Sequence, residues 1–352
     1  MFSNMFPLPP TAETSMTTPR VLISILNWNK AADTLECLRS LRDQAVDGFS
    51  VDVLVIDNGS APDDYAKLRD GVDTGWVTVK RVEKNLGFTG GHNVSLQIAI
   101  DKDYDFVWLL NNDSTVAPDT LAKLVKVIDA DERCGAVSPV LYPEPGTPQE
   151  HGWGIRHDWR ARSHDWVPSA AASRQLHETH PDEVCLTGTA ILLRVQALRQ
   201  IGLLDERLFA YYDDNDIGTR LSRGGWRNKV VFDASVVHAL RTVGEQPPYF
   251  FYLMFRNELI FWHTHMPIEH RKLLWLKLIN QSLYHVNRLR HRGYARQADS
   301  ALLGVWDFIC GKTGAPDLGR KPPLAVRMVC GVLGHLHGRQ LRRTEVKGTA
   351  PA

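Results

Sequence analysis

The chain has 352 residues, more than one typical hydrophobic core needs, so a large domain with an appendage is expected. At 43% hydrophobic and 23% charged residues, its composition is that of a globular protein rather than a disordered or fibrous one. The net charge of +1 gives no ground for a nucleic-acid partner, but it is unevenly divided. From Arg256 onward 16 Lys and Arg stand against 6 Asp and Glu, a balance of +10, which leaves 25 against 34, or −9, before it. The two parts are therefore expected to meet different partners.

Five cysteines, odd in number and without CxxC spacing, argue against a disulfide framework or zinc knuckle and favour a reducing compartment. Residues 1–19 lack a basic segment leading into an apolar one and read as a disordered tail, not a signal peptide. No stretch approaches the roughly 18 uncharged apolar residues that span a bilayer. The longest candidate, 324–336, carries Arg327.

In chain order, the continuous apolar run at 21–26 suits a buried parallel strand. After the polar turn Asn27-Trp28-Asn29-Lys30, Leu35, Leu38 and Leu41 recur at helical spacing within 32–44, and 51–56 is a second strand, giving a βαβ start. A third strand is expected at 77–82, a helix at 91–100 and a buried fourth strand at 106–110. Pro118 opens a helix at 119–129. Residues 142–183 have little periodicity and read as a long loop or irregular hairpin. Strand character returns at 184–194, followed by short helices at 195–201 and 217–223 and strand residues at 230–232 and 234–238. The rest is expected to be helical, at 250–263 and 269–292. In the second of these, Leu276, Ile279, Leu283, Val286 and Leu289 form one apolar stripe.

Two apolar runs end abruptly at ligand-binding side chains, Val53 to Ile56 at Asp57-Asn58-Gly59-Ser60 and Trp108 to Leu110 at Asn111-Asn112-Asp113. An open α/β sheet builds sites in this way, because ligands sit outside the carboxyl ends of its strands. Asp57 can simply satisfy a turn, or it can accept from a base N–H or ribose hydroxyl. Asp113 can cap the next segment, or hold Mg²⁺ or Mn²⁺ beside a diphosphate. The glycine-rich stretch Asn85 to Asn93 precedes a helix whose N-terminus can face phosphate or sugar. Asp213, Asp214 and Asp216 suit a helix start, yet three acids together repel unless a cation or proton relay uses them. A dinucleotide site is disfavoured, since the first strand runs into Asn27-Trp28-Asn29-Lys30 instead of G-x-G-x-x-G.

Taken in order, these segments resemble family 2 inverting glycosyltransferases of the GT-A fold, especially the bacterial rhamnosyltransferase-like branch. The resemblance covers residues 20–262. It rests on Ile25 to Asn29, Val55 to Ser60, Asn85 to Asn93, Leu109 to Asp113, Gly188 to Arg194, Gly202 to Glu206, Phe209 to Asp216, and Gly225-Trp226 through His238. It implies an α/β, Rossmann-like GT-A domain at 20–245 and a basic helical C-terminal region at 246–352. By resemblance Asp214 is the general base; Asn27, Asn29, Asp57, Asn85 and Asn112 serve the donor nucleotide; Gly90, Gly91, His92, Asp213 and Trp226 serve the donor sugar or acceptor. Asp113, at the D-x-D position, and His238 would hold Mg²⁺ or Mn²⁺.

Four departures stand out. Asn111 replaces the common first Asp of D-x-D, Asp213 replaces the usual Glu, and His92 stands where Asn is frequent. The processive Q-x-x-R-W signature is absent, since Gly224-Gly225 separates Arg223 from Trp226, so one sugar or a few would be added per encounter. The implied reaction moves a sugar from a nucleoside diphosphate donor, dTDP-L-rhamnose before UDP-galactofuranose or UDP-hexose, to a glycan or lipid-linked acceptor of the cell envelope. The implied setting is cytoplasmic and peripheral to an anionic membrane face, with a second copy of the chain as a further partner. A nucleotidyltransferase would carry an Arg- or Lys-bearing glycine loop after the first strand, and a non-catalytic sugar-nucleotide-binding protein would lose the acids at 113 and 214.

Overall fold

The apolar runs of the first half become neighbouring strands whose carboxyl ends lie at one edge of a mixed sheet. The computed structural model describes residues 18–144, 152–158, 163–239, 243–266 and 271–334. The expected tail at 1–19 lies almost wholly outside them. The chain runs β1 (Arg20–Asn27), α1 (Ala31–Arg42), β2 (Ser50–Asn58), α2 (Pro62–Gly71), β3 (Val77–Val82), α3 (Gly87–Asp101), β4 (Phe106–Leu110), β5 (Ser114–Val116), α4 (Thr120–Asp129) and β6 (Cys134–Tyr142). It continues through β7 (Ile155–Asp158), β8 (Ser163–Trp166), α5 (Ala170–Thr179), a 3₁₀ turn (Pro181–Glu183), β9 (Val184–Cys185), β10 (Ala190–Arg194), α6 (Val195–Ile201), α7 (Asp213–Arg223) and β11 (Arg227–His238). Helices α8 (Pro248–His265), α9 (Arg271–His291) and α10 (Ala295–Ile309) follow.

The main sheet has the order β3-β2-β1-β4-β10-β6-β11-β5. β1 pairs in parallel with β2 on one side and β4 on the other; the chain steps outward from β1 to β2 and β3 and then crosses back through α3 to β4, a reversal of strand order that opens a crevice at the carboxyl end of β1. Both faces are covered, which is why these strands read as unbroken apolar runs. One core, under α1 and α4, includes Ile23, Ile25, Val55, Trp108 and Leu110; the other, under α3, α6 and α7, includes Leu22, Ile56, Leu109, Leu193 and Leu221. Each such side chain contributes roughly 1.5–3 kcal/mol by leaving water.

The region around 142–183 is more ordered than its composition suggests. β7 pairs with β8 as a hairpin, β9 joins to make a small three-stranded sheet, and Ser169 caps α5 by accepting from the Ala172 N–H at 3.2 Å. The strand expected at 184–194 is two strands, β9 and β10, in different sheets. The helix expected at 217–223 begins at Asp213, so the acids lie inside its first turn. The apolar stripe of α9 is used in packing: Leu283, Val286 and Leu289 are buried with Phe251 of α8 and Ala298, Ala301 and Leu302 of α10. Among the described residues no helix is long and apolar enough to cross a membrane.

Candidate active site

A cavity of about 570 Å³ opens at the carboxyl edge of the sheet. Asn111, Asn112, Asp113 and His238 form its polar end; Phe88, Tyr211 and Tyr249 form an aromatic wall, and Trp28, 44% exposed, stands at its mouth. Strand pairing delivers the polar end. β5 follows Asp113 directly and runs antiparallel to β11, with Ser114 opposite His238. His238 Nε2 therefore lies 3.3 Å from an Asp113 carboxylate oxygen and 3.4 Å from the Asn111 amide nitrogen. These side chains remain reachable, at 18% exposed for His238 and 43% for Asp113.

The described residues contain no cluster of three or more His, Cys, Asp or Glu able to hold a metal by themselves. A carboxylate and an imidazole side by side do fit a cation whose shell is completed by substrate phosphates, the usual arrangement for Mg²⁺.

Beneath the crevice lies a buried polar network. The Asn27 amide donates to Asp57 (3.0 Å), Ser60 (3.1 Å) and Asp64 (3.1 Å), while its oxygen accepts from Thr34 (2.8 Å). Asn112 donates to the same Thr34 hydroxyl at 2.9 Å, linking the end of β4 to the end of β1. Asp57 also lies 3.4 Å from Arg81, whose guanidinium stacks on Tyr65 at 4.2 Å. Asn27 and Asp57 are wholly buried, so both are brought to the site but lie under it, bracing the strand ends instead of facing the cavity. Asn29 lines the cavity and accepts from the Ala61 N–H at 2.8 Å. Asn85 accepts from the Gly87 N–H (2.8 Å) and from Asn58 (3.1 Å), organising the turn into α3.

The residues expected to serve the sugar or acceptor stand in different relations to the cavity. Trp226 precedes β11, at the end of that strand opposite His238, and donates to Gln200 at 2.9 Å; it belongs to packing there. Gly90 and Gly91 face Leu86 and Leu26, which an added Cβ would approach to 2.8 and 2.4 Å, so their smallness serves helix packing. His92 does line the cavity floor, with Nδ1 2.8 Å from the Ser24 hydroxyl. Burial pushes its pKa down to about 3, so it is a neutral ring.

The acids of α7 separate into three environments. Asp216 accepts from His265 (2.8 Å) and pairs with Arg220 (2.7 Å); burial alone would raise its pKa, but these partners hold it below the usual carboxylate range. Asp214 accepts from the Gly188 N–H (3.1 Å) and from the Asn215 backbone and side chain (each 2.8 Å). Burial raises its pKa, and those hydrogen bonds draw it partly back. Asp213 is pushed up to about 8, first by burial and then by the charge of Asp214. Burial and the neighbouring charge thus favour the protonated form of Asp213 near neutral pH. Gly188 and Thr189 place this pair near the end of β4, because Thr189 accepts from the Asn111 N–H at 2.8 Å.

The loop entering α7 is strained. Phe209, Tyr211 and Tyr212 have φ of 66°, 67° and 66°, a region that costs a bulky residue roughly 1–2 kcal/mol. Such a backbone persists only where its surroundings fix it. Gly87, at φ 75°, allows the Phe209 carbonyl to approach so closely that a Cβ would lie 2.3 Å from it.

Residues 22–202 match the profile described as glycosyl transferase family 2, just over half the chain. The chain belongs to that family, and it is a glycosyltransferase of GT-A fold. It is 29% identical over 208 residues to an N-acetylglucosaminyl-diphospho-decaprenol L-rhamnosyltransferase of Mycobacterium tuberculosis. That match takes in 53% of this chain and 66%, just under two thirds, of the relative. Among solved structures, a mannosyltransferase from Pyrobaculum calidifontis in complex with GDP-Man and Mn²⁺ aligns with TM-score 0.53 and 18% identity, over 94% of this chain and 84% of that one. GalNAc-T7 with UDP, GalNAc and Mn²⁺ aligns with TM-score 0.55 and 17% identity, over 86% of this chain and 56% of the other. At these identities the two structures speak for the shared fold.

Proposed function

We propose that the chain transfers one sugar, or a few, from a nucleoside diphosphate donor to a cell-envelope glycan or lipid-linked acceptor with inversion at the anomeric carbon. L-rhamnose from dTDP-L-rhamnose is the favoured donor, supported by the mycobacterial relative, with UDP-galactofuranose or a UDP-hexose as the alternative. The observation that carries the reading is the cavity, which gathers Asn111, Asn112, Asp113 and His238 together with the aromatic rings of Phe88, Tyr211 and Tyr249. The donor diphosphate lies at the polar end, and the acceptor enters past Tyr211 and Tyr249. Asp214 takes the proton from the acceptor hydroxyl as its oxygen attacks the anomeric carbon opposite the leaving nucleotide. Asp213 keeps its proton and can donate a hydrogen bond to the sugar or acceptor. A divalent cation held by Asp113 and His238 would offset the charge that grows on the leaving diphosphate.

We further propose that the enzyme works peripherally at the cytoplasmic face of an anionic membrane, through the segment that follows α10. Residues 324–334 are helical, and Leu324, Met328, Val329 and Val332 are all exposed along it at helical spacing. Lys321 and Arg327 flank this apolar ridge, a pairing that suits an interfacial helix on anionic lipid.

Nucleotide release measured with purified enzyme across a panel of sugar nucleotides, with and without acceptor glycans, tests the reading. Acceptor-stimulated release from dTDP-L-rhamnose supports it. Release confined to another donor replaces the sugar assignment, and release from none removes it.

A further inference from the structure

We propose that Asn257 of α8, backed by Arg256, is a positioning residue that holds the loop entering α7 in its strained form and so sets where Asp214 stands. Both side chains are fully buried. The Asn257 carboxamide nitrogen lies 2.9 Å from the Leu208 carbonyl, 2.8 Å from that of Ala210 and 2.9 Å from that of Tyr211. One NH₂ group thus serves three carbonyls within residues 208–211, with its two hydrogens shared among three acceptors. Its own oxygen accepts from Arg256 Nε at 3.0 Å, which fixes which way the amide faces. Arg256 adds hydrogen bonds to the carbonyls of Leu208 (3.0 Å), Arg207 (3.3 Å) and Gly314 (2.6 Å).

The carbonyls held in this way flank Phe209 and run up to the peptide that joins Tyr211 to Tyr212; these are three of the five non-glycine residues with positive φ among the described residues. Tyr212 is the residue before α7, and Asp213 and Asp214 are its first two positions. Across the loop, the Thr89 N–H donates to the Phe209 carbonyl at 3.1 Å, so α3 holds one side and α8 the other. Among the described residues, α8 reaches the loop with side-chain donors aimed at several carbonyls, and it lies outside residues 22–202, which carry the family match. The helical appendage is therefore part of the apparatus that aims the acid. The same clamp fixes the backbone of Tyr211, whose ring lines the cavity.

This inference rests on Asp214 as the base, and the test separates the two. Asn257→Asp keeps the shape and still accepts from Arg256, but it offers no donor to the three carbonyls. Its kcat should fall about 10- to 100-fold, as misplacement by about 1 Å does, with donor KM changed less than about twofold. In an Asp214→Asn background the same change should cost little more, because the two act on one step. Asp307→Asn is the control: Asp307 anchors Tyr252 (2.8 Å) and Arg320 within the appendage, and its loss should lower Tm with kcat intact. Should Asn257→Asp fold poorly, Asn257→Ser, which keeps one donor, should show a smaller fall in kcat at normal KM. Full kcat per folded enzyme in Asn257→Asp, or in Asn257→Ser where that variant has to be used, overturns the inference whatever Asp214→Asn does. An active Asp214→Asn removes the base assignment instead.

Discussion

His238 closes β11 and Asp113 follows β4, yet the imidazole Nε2 lies 3.3 Å from the Asp113 carboxylate, because β5 turns back along β11 directly after Asp113. Replacing Asp113 with Ala should therefore abolish stimulation of turnover by Mg²⁺ or Mn²⁺ while leaving the fold intact, and His238→Ala should weaken it. Nucleotide release titrated with each metal after chelation is the measurement. Equal turnover by Asp113→Ala and the parent enzyme in chelator would remove the metal from this pair.

Asp214→Asn preserves size and removes proton acceptance. General-base catalysis commonly supplies roughly 10²- to 10⁴-fold, so kcat should fall by that order while donor binding stays near normal. Isothermal titration with the nucleoside diphosphate, beside a rate measurement, reads both quantities. Weakened donor binding at an unchanged rate would assign Asp214 to the nucleotide.

Asp213 gives the protein a pH-dependent cost. Its pKa is pushed up to about 8 when folded, against an ordinary aspartate value of 3.8. Between those values the folded state holds a proton that the unfolded state has lost, so this residue's contribution to stability falls as pH rises through that window. Asp213→Asn should flatten the decline across that window. Urea denaturation at a series of pH values checks it; parallel curves for the two proteins would mean that Asp213 ionises as it does in the unfolded chain.

Gly87→Ala should destabilise by more than about 1 kcal/mol, since φ is positive and the new Cβ would meet the Phe209 carbonyl. Gly225→Ala also has positive φ, but nothing lies within 4 Å of its added Cβ, so its cost should be smaller. Activity should fall with Gly87→Ala and hold with Gly225→Ala. Denaturant midpoints and rates for the two variants decide whether the loop contact matters.

The exposed ridge at 324–334 should make binding to anionic vesicles sensitive to salt, since attraction near each Lys or Arg is worth about 1 kcal/mol and is screened. Replacing Leu324, Met328, Val329 and Val332 together with Ser should reduce cosedimentation at low salt and leave transfer to a soluble acceptor unchanged. Equal pelleting of both proteins would return this face to another role.

Much of the fold could be read from the chain because parallel strands covered on both faces are continuous apolar runs, as in β1, β2 and β4. β6 was missed for a definite reason. Pro139 interrupts its pattern, and the structure accommodates that proline beside the irregular register between Val231 and Ser235 of β11. Helix α2 was missed because only Leu68 is buried in it, leaving no apolar stripe to find. The residues at the strand ends were legible by type, but their depth was not. Thr34, Ser60, Asp64 and Arg81 join Asn27 and Asp57 only through tertiary contact, and Tyr249 reaches the cavity from α8. Asn257 lies in a short polar stretch, Arg256-Asn257-Glu258, within a largely aromatic and aliphatic helix; its role is visible only once the carbonyls of the 208–211 loop are in place.

The two ends of the cavity come from unlike parts of the molecule. The polar end hangs on strands interlocked through eight-stranded hydrogen bonding, where shifting one residue disturbs its neighbours in the sheet. Gln246 and Tyr249 sit at and just before the first turn of a helix, where side chains can be exchanged without altering any strand register. Divergence among relatives can therefore proceed at one wall while the other is inherited nearly whole. The same asymmetry makes residues 246–249 the natural place to graft a different acceptor preference onto this scaffold.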